Sequence, residues 1–577
     1  MRIALAQINP TVGALEANHD QIVAQARQAR ERGAELVIFP EMAICGYPAL
    51  DLLEKPEFVA ESQQWLRKAS RAVPEIAILC GCATPAPEAS GKSVHNSALV
   101  LENGEVTFQQ SKMLLPTYDV FDESRNFAAA TQQRIWRWRG LRIAVTICED
   151  AWNDKNYWPQ RQERLLYERD PVEEQMRSGA DLLINISASP YTAGKIALRQ
   201  EMLGAIARQY RVPVLLANQV GGNDQLIFDG CSMALGADGT LRARAACFEP
   251  DLLLVEIGAQ DEALPGEVQP APGSEIEAMA RALVLGTRDY VHKCGFARVL
   301  IGLSGGVDSA LTAALAVEAL GAEQVGGVYL PSRFSSPQSG ADAAAVAERL
   351  GIELRTISIE PWFEAALGTL AAPLEAAEAG ASDLTRQNLQ SRLRALVLMA
   401  LSNLSGALVL STGNKSEMAM GYCTLYGDMA GGLAVLADVF KTQVYELARY
   451  CNREREVIPR SVLERAPTAE LKFNQRDQDD LPPYEVLDAV IRGYMEEARG
   501  PEAIAESLHL EAALVRALIR RIEHSEYKRQ QAAPGLKISK KAFGMGRRLP
   551  IAQRFEAPAR PGGSLPTEMV AAFMENL

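Results

Sequence analysis

One stretch constrains the fold of this chain more than any other. An apolar run at Val299–Leu303 leads into a turn rich in glycine and hydroxyl groups, and a second apolar run begins at Ala310. This order predicts a strand, a tight turn and a helix. Glycines let backbone N–H groups crowd around an anion, and a helix N-terminus adds partial positive charge. With the Asp308 carboxylate in the turn Ser304–Ser309, the sequence predicts a site for phosphate groups and Mg²⁺.

The turn reads Ser-Gly-Gly-Val-Asp-Ser and lacks the Gly-Lys-Ser/Thr ending of the kinase-type P-loop. A glycine-rich turn between a strand and a helix is common, and such a turn alone could be purely structural. The full string resembles the pyrophosphate-gripping loop of the ATP pyrophosphatases, which adenylate a substrate and release pyrophosphate. That resemblance implies a Rossmann-like parallel α/β domain of the adenine nucleotide alpha hydrolase-like type. It also implies ATP contacts along one run: Gly302, Leu303, Ser304, Gly305, Gly306, Val307, Asp308 and Ser309.

The chain has 577 residues, which is more than one core can organise, since domains usually hold about 150 residues. Strand-like and helical stretches alternate throughout and indicate α/β architecture. Residues 258–273 lack periodicity and contain three prolines, as is typical of a linker. We therefore predict domains at 1–260 and 274–577, joined by a linker at 261–273. An Ala- and Glu-rich stretch, Ala371–Ala381, is expected to be a mobile insertion.

Several classes of protein are disfavoured by composition. The net charge is −13 and no Lys/Arg run dominates a segment, which argues against a nucleic-acid partner. No apolar run approaches the length of about 18 residues that a membrane helix needs. The nine cysteines are scattered without a disulfide framework, which suits a reducing compartment. The expectation is a cytoplasmic enzyme that acts on small molecules.

Three residues of the first half lie beside strand-like runs. Glu41 follows Leu36–Phe39, Lys112 stands before an apolar stretch, and Cys148 ends an apolar run. Singly, each has an ordinary explanation, as a solvated carboxylate, a surface charge or a buried thiol. Together they could hydrolyse an amide: Glu41 would take the thiol proton, and Lys112 would stabilise the oxyanion and help to lower the thiol pKa. No histidine lies near Cys148 in sequence, so a Cys–His mechanism is not favoured.

These residues belong to the strings Phe-Pro-Glu41, Lys112-Met-Leu-Leu-Pro and Ile-Cys148-Glu-Asp-Ala-Trp. In this order the strings resemble the three catalytic blocks of the nitrilase superfamily. The resemblance implies an α-β-β-α sandwich, a Glu41–Lys112–Cys148 triad and a thioester on Cys148. It also implies that glutamine is bound at three further positions: Tyr118, Ser189 and Lys195.

The second half carries further polar clusters after strand-like or helical stretches. Thr412 could contact a nucleotide, Lys441 could grip phosphates, and Glu417 could join Asp308 on Mg²⁺. Each cluster could equally be a solvated surface. In their order, however, these blocks resemble the NAD synthetases, and with the first half attached the chain resembles the glutamine-dependent form. The family is usually richer in charge where this chain has Met-Ala-Gly-Gly after Asp428.

The resemblance implies a complete reaction. The carboxylate of deamido-NAD attacks the α-phosphate of ATP, pyrophosphate leaves, and ammonia from glutamine displaces AMP to give NAD. A protected passage for ammonia and a homo-oligomer with dimerised synthetase domains, or a larger assembly, are further expectations. Four residues match positions that contact deamido-NAD in the family: Asn388, Arg392, Glu417 and Lys528.

Two alternatives stay open at this point. One is another glutamine-fed amidotransferase, such as an enzyme that makes GMP or asparagine. Asparagine synthetases need a cysteine at the mature N-terminus, whereas Arg2 follows Met1 here, and GMP synthetases pair the pyrophosphate loop with a Cys–His glutaminase. The other alternative is an inactive sensor that binds ATP and a dinucleotide. Turnover of glutamine by the purified protein distinguishes the sensor from an enzyme.

Overall fold

The computed structural model describes residues 1–87, 91–158, 166–258 and 263–555. The chain forms two compact units, Met1–Glu275 and Ile276–Leu577. Residues 261–262 of the predicted linker and 556–577 of the predicted second domain lie outside the described residues. In the described part of the linker, Ala263 pairs with Ile257 and Val268 pairs with Arg244. This part of the linker therefore packs on the first unit.

The first unit is rich in strands. Its strands are β1 Arg2–Gln7, β2 Leu36–Ile38, β3 Ala77–Pro85, β4 Val94–Glu102, β5 Glu105–Ser111, β6 Ile135–Trp138, β7 Leu141–Ile147, β8 Leu182–Ser187, β9 Val214–Asn218, β10 Val220–Asn223, β11 Leu226–Asp229, β12 Met233–Leu235, β13 Leu241–Arg244 and β14 Asp251–Glu256. Its α-helices are α1 Leu15–Glu31, α2 Pro56–Ala72, α3 Glu123–Asn126, α4 Pro171–Arg177 and α5 Lys195–Tyr210, and two 3-10 turns span Leu50–Glu54 and Cys148–Ala151.

Two six-stranded sheets contain twelve of these strands, in the orders β14-β1-β2-β3-β4-β5 and β13-β12-β9-β8-β7-β6, and β10 pairs with β11 in a two-stranded sheet. Successive side chains of a strand point to opposite faces of the sheet, so neighbouring residues of β1 show which layer packs against each face. Ile3 belongs to a core shared with Ile143 of the other sheet, whereas Ala4 packs in an outer core with Ile22 of α1. Helix α5 contributes Met202 to an outer core on the second sheet. The predicted α-β-β-α sandwich is confirmed.

The second unit alternates strands with helices. Its strands are β15 Val299–Gly302, β16 Val325–Tyr329, β17 Glu353–Thr356, β18 Leu408–Ser411 and β19 Leu433–Ala434. Its α-helices are α6 Glu275–Lys293, which begins at the last residue of the first unit, α7 Val307–Leu320, α8 Pro337–Leu350, α9 Glu360–Thr369, α10 Ala371–Ala376, α11 Ala379–Ser405, α12 Lys415–Met420, α13 Lys441–Cys451, α14 Arg460–Glu464, α15 Tyr484–Met495, α16 Pro501–Leu508, α17 Ala512–His524 and α18 Glu526–Arg529. Short 3-10 turns span Ala322–Gln324 and Asp477–Asp479.

The sheet of the second unit is entirely parallel, with the order β17-β16-β15-β18-β19. The chain moves from β15 towards β16 in one direction and later to β18 on the other side. In such sheets ligands bind outside the carboxyl ends of the strands, where this direction reverses. The turn after β15 and the segment after β18 both lie at this point. The predicted parallel α/β domain is confirmed.

The stretch Ala371–Ala381 is mostly helical, since α10 covers more than half of it and α11 starts at Ala379, and Ala and Glu both favour helix. Among the cysteines, which were expected to lack a disulfide framework, Cys231 and Cys247 are joined in the first unit. Among the described residues, no helix combines the length and the apolar character that crossing a membrane requires.

Candidate active sites

The base and the cation predicted in the first unit form a buried ion pair. Glu41 follows β2 and Lys112 follows β5 of the same sheet. Lys112 Nζ donates to Glu41 Oε1 over 2.8 Å, and the two side chains are 1% and 0% exposed. Glu41 also accepts hydrogen bonds from Asn96 Nδ2 at 2.7 Å and from the backbone N–H of Ala188 at 2.8 Å. Because both of its oxygens are engaged, the Glu41 carboxylate is held in one orientation.

A second buried carboxylate, Glu123, contacts the same lysine. Its Oε1 accepts from Lys112 Nζ and from Tyr47 Oη, both at 2.8 Å. Burial by itself would lower the pKa of Lys112, but the carboxylates of Glu123 and Glu41 raise that pKa well above its usual value. Lys112 therefore stays positively charged, as the stabilisation of an oxyanion requires.

Cys148 comes from the other six-stranded sheet, directly after β7. It opens the turn Cys148–Ala151 with a φ of 43°, a left-handed conformation that few non-glycine residues adopt. Burial raises the pKa of the thiol to about 12, with Glu41 acting in the same direction and Lys112 lowering it. Lys112 lowers the thiol pKa, as expected, but burial of a thiolate outweighs this one cation. Cys148 is a thiol at neutral pH and needs a base.

Tyr118 reaches this site through a carboxylate that directly follows Cys148 in the chain. Tyr118 Oη donates to Glu149 Oε2 at 2.9 Å, and Tyr167 Oη donates to Glu149 Oε1 at 3.0 Å. Glu149 is only 3% exposed. A buried carboxylate with two phenol donors is held firmly in one orientation.

Ser189 and Lys195, which follow β8, also lie near the triad. Ser189 is buried and directly follows Ala188, whose N–H binds Glu41. Lys195 opens α5, its Nζ donates to Pro190 O at 2.8 Å, and its charge acts on the Cys148 thiol. All three positions predicted for glutamine therefore lie around the triad.

The second unit contains a cavity of about 1130 Å³ at the carboxyl ends of its parallel strands. This volume is slightly above the usual range for ligand sites, about 300–1,000 Å³. The residues predicted to bind ATP all line it: Gly302, Leu303, Ser304, Gly305, Gly306, Val307, Asp308, Ser309, Thr412 and Lys441. The residues predicted to bind deamido-NAD line it as well: Asn388, Arg392, Glu417 and Lys528.

The turn between β15 and α7 is tight and is closed by its own serine hydroxyls. Gly305 has a φ of 81°, and a Cβ there would lie 2.4 Å from the carbonyl oxygen of Ser339, so only glycine fits. The N–H of Gly306 donates to Ser304 Oγ at 3.2 Å, and the N–H of Ser304 donates to Ser309 Oγ at 3.2 Å. Helix α7 has 14 residues, and its N-terminus contributes partial positive charge.

Two carboxylates of the cavity converge on one cation. Lys441 Nζ donates to Asp308 Oδ2 at 2.5 Å and to Glu417 Oε1 at 3.2 Å. Asn414 Nδ2 donates to Asp308 Oδ1 at 2.8 Å and fixes that carboxylate. Burial raises the pKa of Glu417 to about 8, with Lys441 opposing and Asp308 adding to the rise. Such a site favours a cation close to both carboxylates.

The remaining predicted residues surround one segment, residues 421–425. Lys528 Nζ donates to two carbonyl oxygens of this segment, at 2.7 and 2.9 Å. Arg392 Nε donates to a third carbonyl oxygen at 3.1 Å, and Asn388 Oδ1 accepts from a threonine hydroxyl of the segment at 2.8 Å. These side chains therefore form a polar wall around one part of the cavity.

Both halves of the chain match protein-family models. The NAD synthase family model matches residues 279–532, and the carbon-nitrogen hydrolase model matches residues 2–263. The glutamine-dependent NAD(+) synthetase of Synechocystis is 47% identical and covers 96% of this chain and 99% of its own length. The enzyme of Thermotoga maritima is 40% identical, with 97% and 99% covered.

The chain belongs to the glutamine-dependent NAD(+) synthetases. A solved structure of such a synthetase from Acinetobacter baumannii, in complex with ADP, is 38% identical, with a TM-score of 0.75 and coverage of 95% of this chain and 98% of that chain. The family consists of ligases of NAD biosynthesis that use ATP and take nitrogen from glutamine.

The structure adds residues to this synthetase that sequence reasoning missed. Glu123 lies on the short helix α3 and follows no strand, so no pattern marks it. Glu149 could have been predicted from the sequence, because it directly follows the proposed nucleophile Cys148. Asp477 lines the cavity, accepts from Tyr484 Oη at 2.8 Å, and leaves its Oδ1 without a hydrogen bond among the described residues. Asp477 belongs to a polar stretch without periodicity, so no sequence pattern marked it as a candidate site residue.

Proposed function

We propose that this chain converts deamido-NAD to NAD with ATP and glutamine, releasing AMP, pyrophosphate and glutamate. Residues 1–260 act as the glutaminase and residues 274–577 as the synthetase. The observation that carries the proposal is the convergence of all fourteen predicted nucleotide-binding positions on one cavity. A buried ion pair between Glu41 and Lys112, with Cys148 in electrostatic contact, supports the first half of the reaction.

In the glutaminase, Glu41 accepts the thiol proton as Cys148 Sγ attacks the side-chain carbonyl carbon of glutamine. Lys112 donates a hydrogen bond to the oxyanion of the tetrahedral intermediate. Protonated Glu41 then gives its proton to the leaving nitrogen, so ammonia departs and a thioester remains. Water, deprotonated by Glu41, hydrolyses the thioester to glutamate and restores the thiol. A base is needed because burial keeps the thiol pKa at about 12.

Glutamine carries opposite charges at its α-carbon, and the site offers opposite charges to match them. Glu149 supplies a buried carboxylate for the α-ammonium group, and Lys195 supplies a cation for the α-carboxylate. Tyr118 and Ser189 flank these groups and provide neutral hydrogen-bonding partners. This arrangement selects an amino acid rather than a simple amide.

In the synthetase, the carboxylate of deamido-NAD attacks the α-phosphate of ATP and pyrophosphate leaves. The Ser304–Ser309 turn holds the polyphosphate through backbone N–H groups and the N-terminus of α7. Lys441 lies beside Asp308 and can donate to phosphate oxygens. Thr412 contacts the nucleotide, and Asn388, Arg392, Glu417 and Lys528 contact deamido-NAD. Ammonia released at Cys148 then attacks the acyl-adenylate and displaces AMP.

The carboxylates of the cavity also fit Mg²⁺. Asp308 and Glu417 converge on one position next to the phosphate turn, and Mg²⁺ is usually held by one or two carboxylates together with substrate phosphates. When bound, Mg²⁺ neutralises charge on the phosphates.

We also propose a homo-oligomer in the cytoplasm. Leu396, Met399 and Leu404 are exposed near the end of α11, by 54%, 41% and 84%. Apolar side chains grouped in this way favour a protein interface. Seven of the nine cysteines are free thiols, which suits a reducing compartment. A change of Leu396 and Leu404 to Glu should lower the mass measured by light scattering, and an unchanged mass would exclude this part of α11.

The reaction itself is tested with glutamine labelled with ¹⁵N in its amide, together with ATP, Mg²⁺ and deamido-NAD. We expect ¹⁵N in the nicotinamide amide of NAD, and AMP and pyrophosphate in amounts equal to NAD. Formation of ADP and phosphate would contradict adenylation. Unlabelled NAD in the absence of ammonium would contradict transfer from glutamine, and a lack of any glutamine turnover would support the inactive sensor.

A further inference from the structure

The triad depends on residues from two different sheets. Glu41 and Lys112 follow strands of one six-stranded sheet, whereas Cys148 follows β7 of the other. The two sheets meet through an apolar core, and apolar contacts are not directional. Chemistry at Cys148 requires Lys112 within hydrogen-bond reach of the oxyanion. Directional bonds between the two strand ends are therefore needed.

Asp150 makes such bonds. Its Oδ1 accepts the backbone N–H groups of Met113 at 3.0 Å and Leu114 at 2.8 Å, directly after Lys112. Its Oδ2 accepts the backbone N–H of Ile147 at 3.2 Å, directly before Cys148. The Asp150 side chain is fully buried. One carboxylate thus ties the segment that carries the cation to the segment that carries the nucleophile.

The same carboxylate supports the unusual backbone of the nucleophile. Cys148 has a φ of 43°, a left-handed conformation that is costly for a residue other than glycine. Asp150 lies at the third position of the turn and bonds back to the N–H that precedes Cys148, which closes the turn. Loss of this bond should let Cys148 relax away from Lys112.

We propose that Asp150 is a positioning residue that sets the separation of Lys112 and Cys148 across the two sheets. This inference rests on the proposed glutaminase triad. Asp150 touches neither glutamine nor the reacting atoms; it acts through the backbone on both sides of the site. Its buried carboxylate is therefore expected to affect kcat for glutamine hydrolysis rather than the binding of glutamine.

The test compares Asp150→Asn with Asp170→Asn. Asp170 is also buried and accepts a backbone N–H, that of Glu173 at 3.0 Å, but it caps α4 and joins no catalytic segments. In Asp150→Asn the amide NH₂ faces one of the N–H donors. We expect kcat for glutamine hydrolysis to fall ~100-fold, since a misplacement of about 1 Å can cost that much. KM should stay within about threefold, as after Asp170→Asn.

A second measurement separates positioning from a loss of stability. Lys112 lowers the thiol pKa, so greater separation should slow the alkylation of Cys148 by iodoacetamide at a fixed pH. NAD synthesis from added ammonium should be unchanged in both variants. Equal kcat values for the two variants, a rise in KM alone, or an unchanged alkylation rate would overturn the proposal.

Hydrogen exchange of the wild-type protein covers the case in which Asp150→Asn does not fold. The amides of Met113, Leu114 and Ile147 should open together, because one carboxylate holds them. Independent opening of Ile147 would overturn the proposal. If the proposed triad is wrong, Cys148→Ala will retain glutamine-dependent synthesis. If the triad is right but Asp150 does not position it, Asp150→Asn will have the same kinetics as Asp170→Asn.

Discussion

The three triad side chains of the first unit are almost fully buried, whereas the residues proposed to bind nucleotides line a cavity of about 1130 Å³. In the first site burial keeps the thiol of Cys148 protonated, whereas the carboxylates of Glu123 and Glu41 keep Lys112 cationic against the effect of burial. In the second, a turn and a helix N-terminus present donors to a large ligand. Covalent chemistry on a small amide depends on protonation states, and phosphoryl transfer depends mainly on positioning.

This comparison predicts that a substitution in one site abolishes the activity of that site and leaves the other activity intact. The largest effect is expected from Cys148→Ala. Glutamine-dependent NAD synthesis should fall by at least about 10⁴-fold, because loss of a triad nucleophile removes the covalent route. Synthesis from ammonium should stay within about twofold. Steady-state assays with each nitrogen source measure this, with Cys294→Ala, an exposed thiol, as the control. A parallel loss of both activities would contradict separate sites.

The reverse dissociation is expected from Asp308→Asn. Synthesis from glutamine and from ammonium should both fall ~100-fold or more, because the carboxylate that faces Lys441 and the phosphates is lost. Basal hydrolysis of glutamine, measured without ATP, should remain within about threefold. Intact synthesis with either nitrogen source would remove Asp308 from the reaction.

A smaller effect is expected from Gly305→Ala, which tests positioning alone. An added Cβ would meet the carbonyl oxygen of Ser339 and distort the phosphate turn, so KM for ATP should rise about tenfold. Gly295→Ala is the matched control, because Gly295 has a φ of 82° and no atom within 4 Å of the added Cβ. Equal effects on KM would mean that backbone strain, not the collision, explains the result.

The smallest effect concerns protonation in the first site. Because burial and Glu41 both raise the thiol pKa, the thiolate fraction of Cys148 should grow about tenfold per pH unit between pH 7 and 9. In Glu41→Gln a negative charge is lost, the thiol pKa falls, and alkylation by iodoacetamide at pH 8 should be a few-fold faster. Glutamine turnover should nevertheless drop, since the base is gone. Slower alkylation would show that Glu41 does not face the thiol.

Much of both sites was readable from the sequence because the residues follow strands. Cys148 directly follows β7 and the Ser304–Ser309 turn begins two residues after β15, so strand periodicity followed by a polar residue located them. Resemblance to known families then assigned the partners that periodicity could not. Glu123 and Asp477 have no such pattern, because Glu123 lies on a short helix and Asp477 on a short 3-10 turn.

The sequence by itself determined the α/β architecture and the parallel strands of the second half, since hydrophobic periodicity and turn residues are local properties. The α-β-β-α sandwich was implied by the resemblance to a known superfamily. The sequence also determined which residues could act. Only the tertiary structure decided the protonation states of these residues and the distances between them. Burial overrode Lys112 and kept Cys148 a thiol, and Asp150 joined segments 36 residues apart, from Leu114 to Asp150. Desolvation and long-range hydrogen bonds depend on the packing of distant segments, which no local pattern records.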